Sequence, residues 1–347
     1  MSCCDPNQVA WNGKDFRRRS VLKGAAALIG AVGTLTAPHG GARAAGKSIK
    51  LAFCSQLLCV LPYEVARAHG FFDKQSLAVE LVYARGGSAA MQAFVGGAVD
   101  YGATALDVAL EAFAKGAPIR RFASTGKLPL FALAVAPQHA KEITDLQGLA
   151  GRTVGVSGLG NADHALALFL LKKAGVDTNK VQFATLGPNL LEALRQGQVD
   201  AGLVQEPALT LIVAAGGRVL VNAMNTADAQ KYLGGNYEFM GVAVRANEID
   251  ARRDEMKALA VALQNALVAL QTLSPDDLVK SLPPEMTAGG DTSQMRDIFA
   301  RYRASLYPTS VKIDPAAADR VAASLKVAGL LAPDANTAGL YDFTIAG

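Results

Sequence analysis

The sequence predicts an α/β protein built as two similar lobes, and three observations predict it. Short β-branched runs alternate with helical patterns from Lys47 to Val221, the mark of parallel βαβ units. The alternation breaks off after Val135 and starts afresh at Thr153. Five identities then recur one hundred residues apart: Ala93, Gly97, Val99, Asp100 and Gly102 match Ala193, Gly197, Val199, Asp200 and Gly202. Gly87 likewise matches Gly187, while Ser55 and Ser157 each follow the first strand of their block.

In the first block, residues 48–53 read as a strand and 62–69 as a helix stopped by Gly70. A strand at 79–83, a helix at 88–95, a short strand at 99–101 and a helix at 107–115 follow. Strands at 120–123 and 131–135 complete the block. The second block holds strands at 153–156, 181–185, 201–204 and 219–221. Its helices fall at 161–174, stopped by Gly175, then at 190–196 and 207–215. In the repeated Gly-x-Val-Asp-x-Gly, the first Gly ends a helix in the left-handed conformation and the Val plugs the core. The Asp holds the turn, and the last Gly admits a close backbone approach.

After Asn222 the alternation fails. One strand at 239–244 precedes a long amphipathic helix at 254–273 and shorter helices near 276–281, 293–305 and 315–328. The economical arrangement returns 239–244 to the first lobe. Residues 45–137 and 238–347 then form lobe I and 138–237 lobe II, with crossings near 136–141 and 237–242 acting as a two-strand hinge.

The chain has 347 residues and a formal charge of +4, but the excess is local. Residues 1–44 hold six of the 34 basic residues and two of the 30 acidic ones, leaving 28 of each. A nucleic-acid partner is therefore not expected. Within that segment Arg17-Arg18-Arg19-Ser20-Val21-Leu22-Lys23 precedes an apolar, uncharged stretch from Gly24 to Ala37. At about fourteen residues it is too short for a spanning anchor of roughly twenty. Ala42-Arg43-Ala44 then offers a small-residue cleavage site. The segment resembles a twin-arginine export signal, cleaved near Ala44 and delivering the mature protein to the periplasm. Cys3 and Cys4 leave with it. Cys54 and Cys59, five apart, either close a small loop in an oxidising compartment or pack as two buried apolar residues.

In open α/β sheets, ligands bind beyond the C-terminal ends of strands, where helix N-termini present N–H groups. Those positions hold Ser55, Gln56, Gly87, Ser88, Thr104 and Ala105 in the first block. In the second they hold Ser157, Gly158, Gly160, Asn161, Gly187 and Glu206. Ser88, Thr104 and Asn161 each have an alternative as plain helix caps, and Glu206 as the cap of the helix from Pro207. Arg85 and Lys127 are the basic residues near strand ends. His69 and His139 read as structural, and His164, one turn into its helix, as a possible contact. No nucleophile–base pattern, metal-ligand spacing or cofactor motif occurs, so no enzyme activity, metal or cofactor is expected.

Several segments, in order, resemble one family. They are Tyr63-Glu64-Val65-Ala66-Arg67-Ala68-His69-Gly70-Phe71-Phe72, Val79-Glu80-Leu81-Val82, Gly86-Gly87-Ser88 and Gly97-Ala98-Val99-Asp100-Tyr101-Gly102. Asp145-Leu146-Gln147-Gly148, Gly151-Arg152-Thr153-Val154-Gly155-Val156 and Gln205-Glu206-Pro207 continue the likeness. They are similar to solute-binding proteins for nitrate, sulfonates and taurine, a family that includes binders of thiamine-pyrimidine precursors. The resemblance implies the type II periplasmic binding protein fold, with a small ligand between two lobes. It also implies a monomer that delivers the ligand to the membrane permease subunits of an ABC transporter. Where the family often has an aromatic before Glu-Pro, this chain has Gln205. A small oxyanion held by N–H and hydroxyl groups is the first expectation. A polar heteroaromatic, an aromatic carboxylate, or an enzyme on the same fold is the alternative.

Overall fold

A computed structural model describes residues 47–288 and 291–346. The export signal read in 1–44 lies outside the described residues. The first block gives β1 (Lys47–Cys54), α1 (Leu57–Ala68), β2 (Leu77–Ala84), α2 (Gly87–Val95), β3 (Tyr101–Ala105), α3 (Leu106–Ala114) and β4 (Ile119–Ser124). Next come β5 (Ala132–Val135), β6 (Thr153–Val156), α4 (Ala162–Lys173), β7 (Gln182–Thr185), α5 (Leu190–Arg195) and β8 (Ala201–Val204). Then follow α6 (Ala208–Ala214), β9 (Arg218–Asn222), the single turn α7 (Thr226–Asp228) and β10 (Met240–Arg245). The C-terminal helices are α8 (Ile249–Thr272), α9 (Pro275–Ser281), α10 (Pro284–Thr287), α11 (Thr292–Leu306) and α12 (Pro315–Ala328).

Two five-stranded sheets result, in the orders β2-β1-β3-β10-β4 and β7-β6-β8-β5-β9. In each, three parallel strands meet one antiparallel strand in the fourth position. That strand is the first one laid down after the chain crosses between lobes, β5 on the way out and β10 on the way back. The placement of β5 corrects the sequence reading, which put 131–135 in the first block. Its four residues are all buried and apolar, so their pattern carried no sign of which sheet they join.

The crossings move accordingly, to residues 125–131 and 223–239. They run side by side, with Tyr237 N–H donating to Lys127 O at 2.9 Å and Phe239 N–H to Gly126 O at 2.8 Å. The hinge is thus two hydrogen-bonded segments, displaced from the expected positions. Buried Arg121 fastens the return crossing to the first sheet, reaching Thr104 O, Phe239 O and the Glu238 carboxylate at 3.0, 2.9 and 3.2 Å.

The repeated motif plays one structural part twice. Asp100 accepts the Lys50 N–H at 2.7 Å, inside β1, and Asp200 accepts the Thr153 N–H at 2.8 Å, at the start of β6, so each Asp pins the backbone of its neighbouring strand. Gly97 and Gly197 have φ of +79° and +68° at their helix ends. A Cβ on Gly102 would stand 2.8 Å from the Phe94 ring, and one on Gly202 would stand 2.9 Å from Leu190. Both glycines let a helix sit hard against its sheet.

The C-terminal helices pack on the first lobe through α8 and α9 against α1, as read. However, α12 lies against both α3 and α4, and Lys172 Nζ caps its end at Ala328 O, 2.8 Å away. Helix α1 also starts earlier than the sequence suggests, at Leu57, with Pro62 inside it. A proline there leaves the carbonyl four residues back without its helical donor. Tyr307 supplies one, its hydroxyl donating to Leu58 O at 2.7 Å.

Candidate functional site: an interlobe cleft

Helix α2 starts where β2 ends and α4 where β6 ends, so both N-termini face the gap between the sheets. They meet there. Ser88 N–H donates to Asn161 Oδ1 at 3.0 Å, and Ser88 Oγ donates to Gly160 O at 2.8 Å. Asn161 Nδ2 donates to Ser157 Oγ at 3.0 Å, which in turn donates to Asp163 Oδ1 at 2.9 Å. Asp163 Oδ2 also accepts the Ser157 N–H. A continuous chain of hydrogen bonds therefore runs Asp163–Ser157–Asn161–Ser88 across the lobes. Burial pushes the Asp163 carboxyl up to about 6, against the pull of the Ser157 N–H and hydroxyl.

The second bridge joins β1's exit to β8's exit. Gln205 Nε2 donates to Gln56 Oε1 at 2.6 Å. Two cavities share this bridge as a wall, together with Phe131, Ser157 and Asp163. The smaller, about 20 Å³, is lined from both lobes by Gln56, Gly87, Thr104, Ala105, Asn161 and Gln205 among others. The larger, about 230 Å³, lies mostly in the second lobe, where Gly187, Pro188, Leu203 and Glu206 contribute to its lining. Among the described residues no Arg or Lys lines either one, Arg85 and Lys127 included.

Eight of the twelve residues singled out from sequence thus line a cavity: Gln56, Gly87, Thr104, Ala105, Ser157, Asn161, Gly187 and Glu206. Ser55, Ser88, Gly158 and Gly160 do not. Ser55 is exposed, with its N–H donating to Ala84 O at 2.9 Å. Ser88 and Gly160 are used up bonding each other across the mouth. Gly158 serves Asn161, since a Cβ there would fall 2.8 Å from Asn161 Nδ2. His164 lines neither cavity; its Nδ1 accepts Gly160 N–H at 3.4 Å and its ring meets Phe183 edge-on. Glu206 takes the capping part for one oxygen, with Oε2 accepting Thr210 N–H and hydroxyl at 3.0 and 2.9 Å.

Sequence reasoning missed Phe131 and Phe239, which meet edge-to-face at 5.9 Å where the crossings pass the interlobe cavity. It also missed Met240, Asp163 and the sulfurs. Cys54 and Cys59 form a disulfide with Cα atoms 5.9 Å apart, and both line the same cavity. Of the two readings left open for that pair, the bonded one holds. The correct placement of the crossings was the signal that would have found the two phenylalanines.

Two mixed sheets of matching strand order, a double hinge and a cleft walled by helix starts define the periplasmic binding protein fold. Solved structures agree. A protein of Bordetella bronchiseptica RB50 superposes with a TM-score of 0.77 at 25% identity, over 88% of this chain and 96% of that one. A Candida albicans gene product described as having the generic periplasmic binding protein fold gives 0.69 at 16%, over 86% and 97%. The alkanesulfonate-binding protein SsuA from Xanthomonas axonopodis pv. citri, bound to MOPS, gives 0.62 at 19%, over 80% and 89%. No curated protein matches the sequence. The chain belongs to the NMT1/THI5-like family, whose sequence profile matches residues 60–272.

Proposed function

We propose that this protein is the periplasmic solute-binding component of an ABC importer, holding a small polar ligand between its lobes and handing it to membrane permease subunits. The observation that carries the reading is the interlobe cavity, walled by both lobes and spanned by the Ser88–Asn161 and Gln205–Gln56 bridges. At about 20 Å³ it has room for roughly one water, which needs ~10–15 Å³ of such space. An organic solute enters that interlobe space only if the lobes part, so occupying it is coupled to opening and closing about the hinge. The lobes that move are those carrying the two sheets, divided at residues 125–131 and 223–239.

The lining bears on ligand class. An oxyanion, the first expectation from sequence, would meet two carboxyl groups in the lining, Asp163 and Glu206, and no lining Arg or Lys among the described residues, the cation beside Glu206 being Arg301 at 3.9 Å. A further negative charge placed beside these buried carboxyl groups is costly. Phe131, Phe239 and Met240 instead offer flat and polarizable surface. An uncharged polar ligand with a planar group fits this lining best, and the sulfonate bound by the SsuA relative is the alternative. Binding without turnover is favoured because Ser157 Oγ is committed to Asp163 and Asn161, and no His lines the cavities. The intact disulfide suits an oxidising compartment. Among the described residues no helix is long and apolar enough to cross a membrane. Native mass spectrometry of protein isolated from its own host tests the reading. A retained small molecule supports it. Empty protein that also ignores every added solute overturns it.

A further inference from the structure

Three polar atoms at the cleft are buried and have no hydrogen-bond partner among the described residues: Thr104 Oγ1, Gln205 Oε1 and Glu206 Oε1. Thr104 and Gln205 are 1% and 8% exposed, and both line the interlobe cavity. Glu206 lines the adjoining one, and its nearest cation, Arg301 Nη1, stands 3.9 Å from Oε1. Buried polar atoms in native proteins are almost always paired, so exceptions grouped along two adjoining cavities that share Gln205 as a wall call for an occupant. Two of the three can only accept. By contrast the start of α2, where an oxyanion would dock, is already taken by the Asn161 carboxamide oxygen.

We infer that the ligand presents an N–H donor, from an amino or primary amide group, to Gln205 Oε1, with Glu206 Oε1 as a second acceptor and the Thr104 hydroxyl beside it. The inference rests on the receptor reading above and narrows it. Gln205 and Thr104 then fix specificity: a site built to pair a donor rejects an isostere without one, because its own acceptors stay unpaired.

Isosteric probes test this by calorimetric titration. One pair is nicotinamide and 3-acetylpyridine, which exchange an amide nitrogen for a methyl group. The other is taurine and propane-1-sulfonate, which exchange an ammonium for a methyl group. In at least one pair the nitrogen-bearing member should bind about tenfold tighter or better. The double variant Thr104→Val and Gln205→Met should abolish that preference. Thr104→Val alone should raise the unfolding midpoint of ligand-free protein, because it removes an unpaired buried hydroxyl. Methyl members binding as tightly in both pairs, a preference surviving the double variant, or a midpoint lowered by Thr104→Val overturns the donor inference. Tight binding of a donor-free solute, or its recovery from host-isolated protein, would overturn the inference while leaving the receptor reading intact. Absence of any binding, together with empty host-isolated protein, would remove the receptor reading and this inference with it.

Discussion

Asn161 Oδ1 sits 3.0 Å from the Ser88 amide nitrogen, so a side chain from the second lobe caps a helix of the first. The carboxamide fits because two glycines make room: a Cβ on Gly86 would lie 3.1 Å from Asn161 Nδ2, and one on Gly158 would lie 2.8 Å from it. Sequence, local turn and lobe contact are here one device, a latch across the cleft mouth. Asn161→Ala removes both its bonds, each contributing about 1 kcal/mol. Since the bond to Ser88 forms only with the lobes together, while that to Ser157 lies within the second lobe, the variant should shift the ligand-free protein toward an open form with little change in unfolding midpoint. Small-angle scattering should show a larger radius of gyration than wild type. Gly158→Ala should act in the same direction by displacing the carboxamide. An unchanged radius in both variants would dismiss the latch.

Tyr307 and Leu58 illustrate how a distant helix repairs a local defect. Pro62 leaves the Leu58 carbonyl without its helical donor, and the Tyr307 hydroxyl, 249 residues along the chain, fills the place. Both groups are buried. Tyr307→Phe keeps the ring and strands the carbonyl, at a cost of about 1–3 kcal/mol. Urea denaturation should show a lower midpoint at unchanged slope. An unchanged midpoint would mean that the carbonyl finds another donor.

What the sequence showed and what it hid divide along the range of the interactions. The alternation of strands and helices was legible because it is written locally. The hundred-residue repeat was legible because the two Asp residues do the same work, each pinning a backbone N–H of the neighbouring strand, at Lys50 and at Thr153. The cavity-lining positions Gln56, Thr104, Ser157 and Asn161 followed from where each strand was read to end. By contrast β5 is a short apolar strand with no local sign of its partners, so its sheet was misassigned and the crossings with it. That single error concealed Phe131 and Phe239. The start of α1 was hidden for the opposite reason: Pro62 argues locally against a helix there, and only Tyr307 reverses the argument.

The Cys54–Cys59 disulfide closes the turn that carries Ser55 and Gln56 into α1. Its small loop restrains the unfolded chain modestly, by about 2 kcal/mol on the loop-entropy relation. For a domain of this size that corresponds to roughly 3 °C in Tm. The local effect should be larger than the global one, because Gln56 forms half of the Gln205 bridge. Hydrogen exchange at the start of α1 should speed up in the Cys54→Ala, Cys59→Ala variant, with calorimetry showing the small drop in Tm. Equal exchange in the two proteins would show that packing alone holds the turn.

Asp107, in the first turn of α3, gives the fold a pH dependence of a definite sign. Its side chain is fully buried, Oδ2 accepts from the Tyr237 hydroxyl at 3.3 Å, and Oδ1 has no partner among the described residues. Burial pushes its carboxyl up to about 7, with Glu111 adding to the rise and its own backbone N–H, the Tyr237 hydroxyl and Arg121 opposing it. The folded state therefore holds this proton over a range in which the unfolded chain, near 3.8, has lost it. Its contribution to stability is fully present below that lower value and is lost as pH rises through the folded one. Asp107→Asn removes the titration and keeps the shape. Asp163, raised in the same direction, titrates in both proteins and cancels in the comparison. Between about pH 5 and about pH 8, wild type should lose on the order of 2 kcal/mol relative to Asp107→Asn. Urea midpoints at the two pH values measure the difference, and parallel pH profiles would show that Asp107 keeps its charge inside the fold.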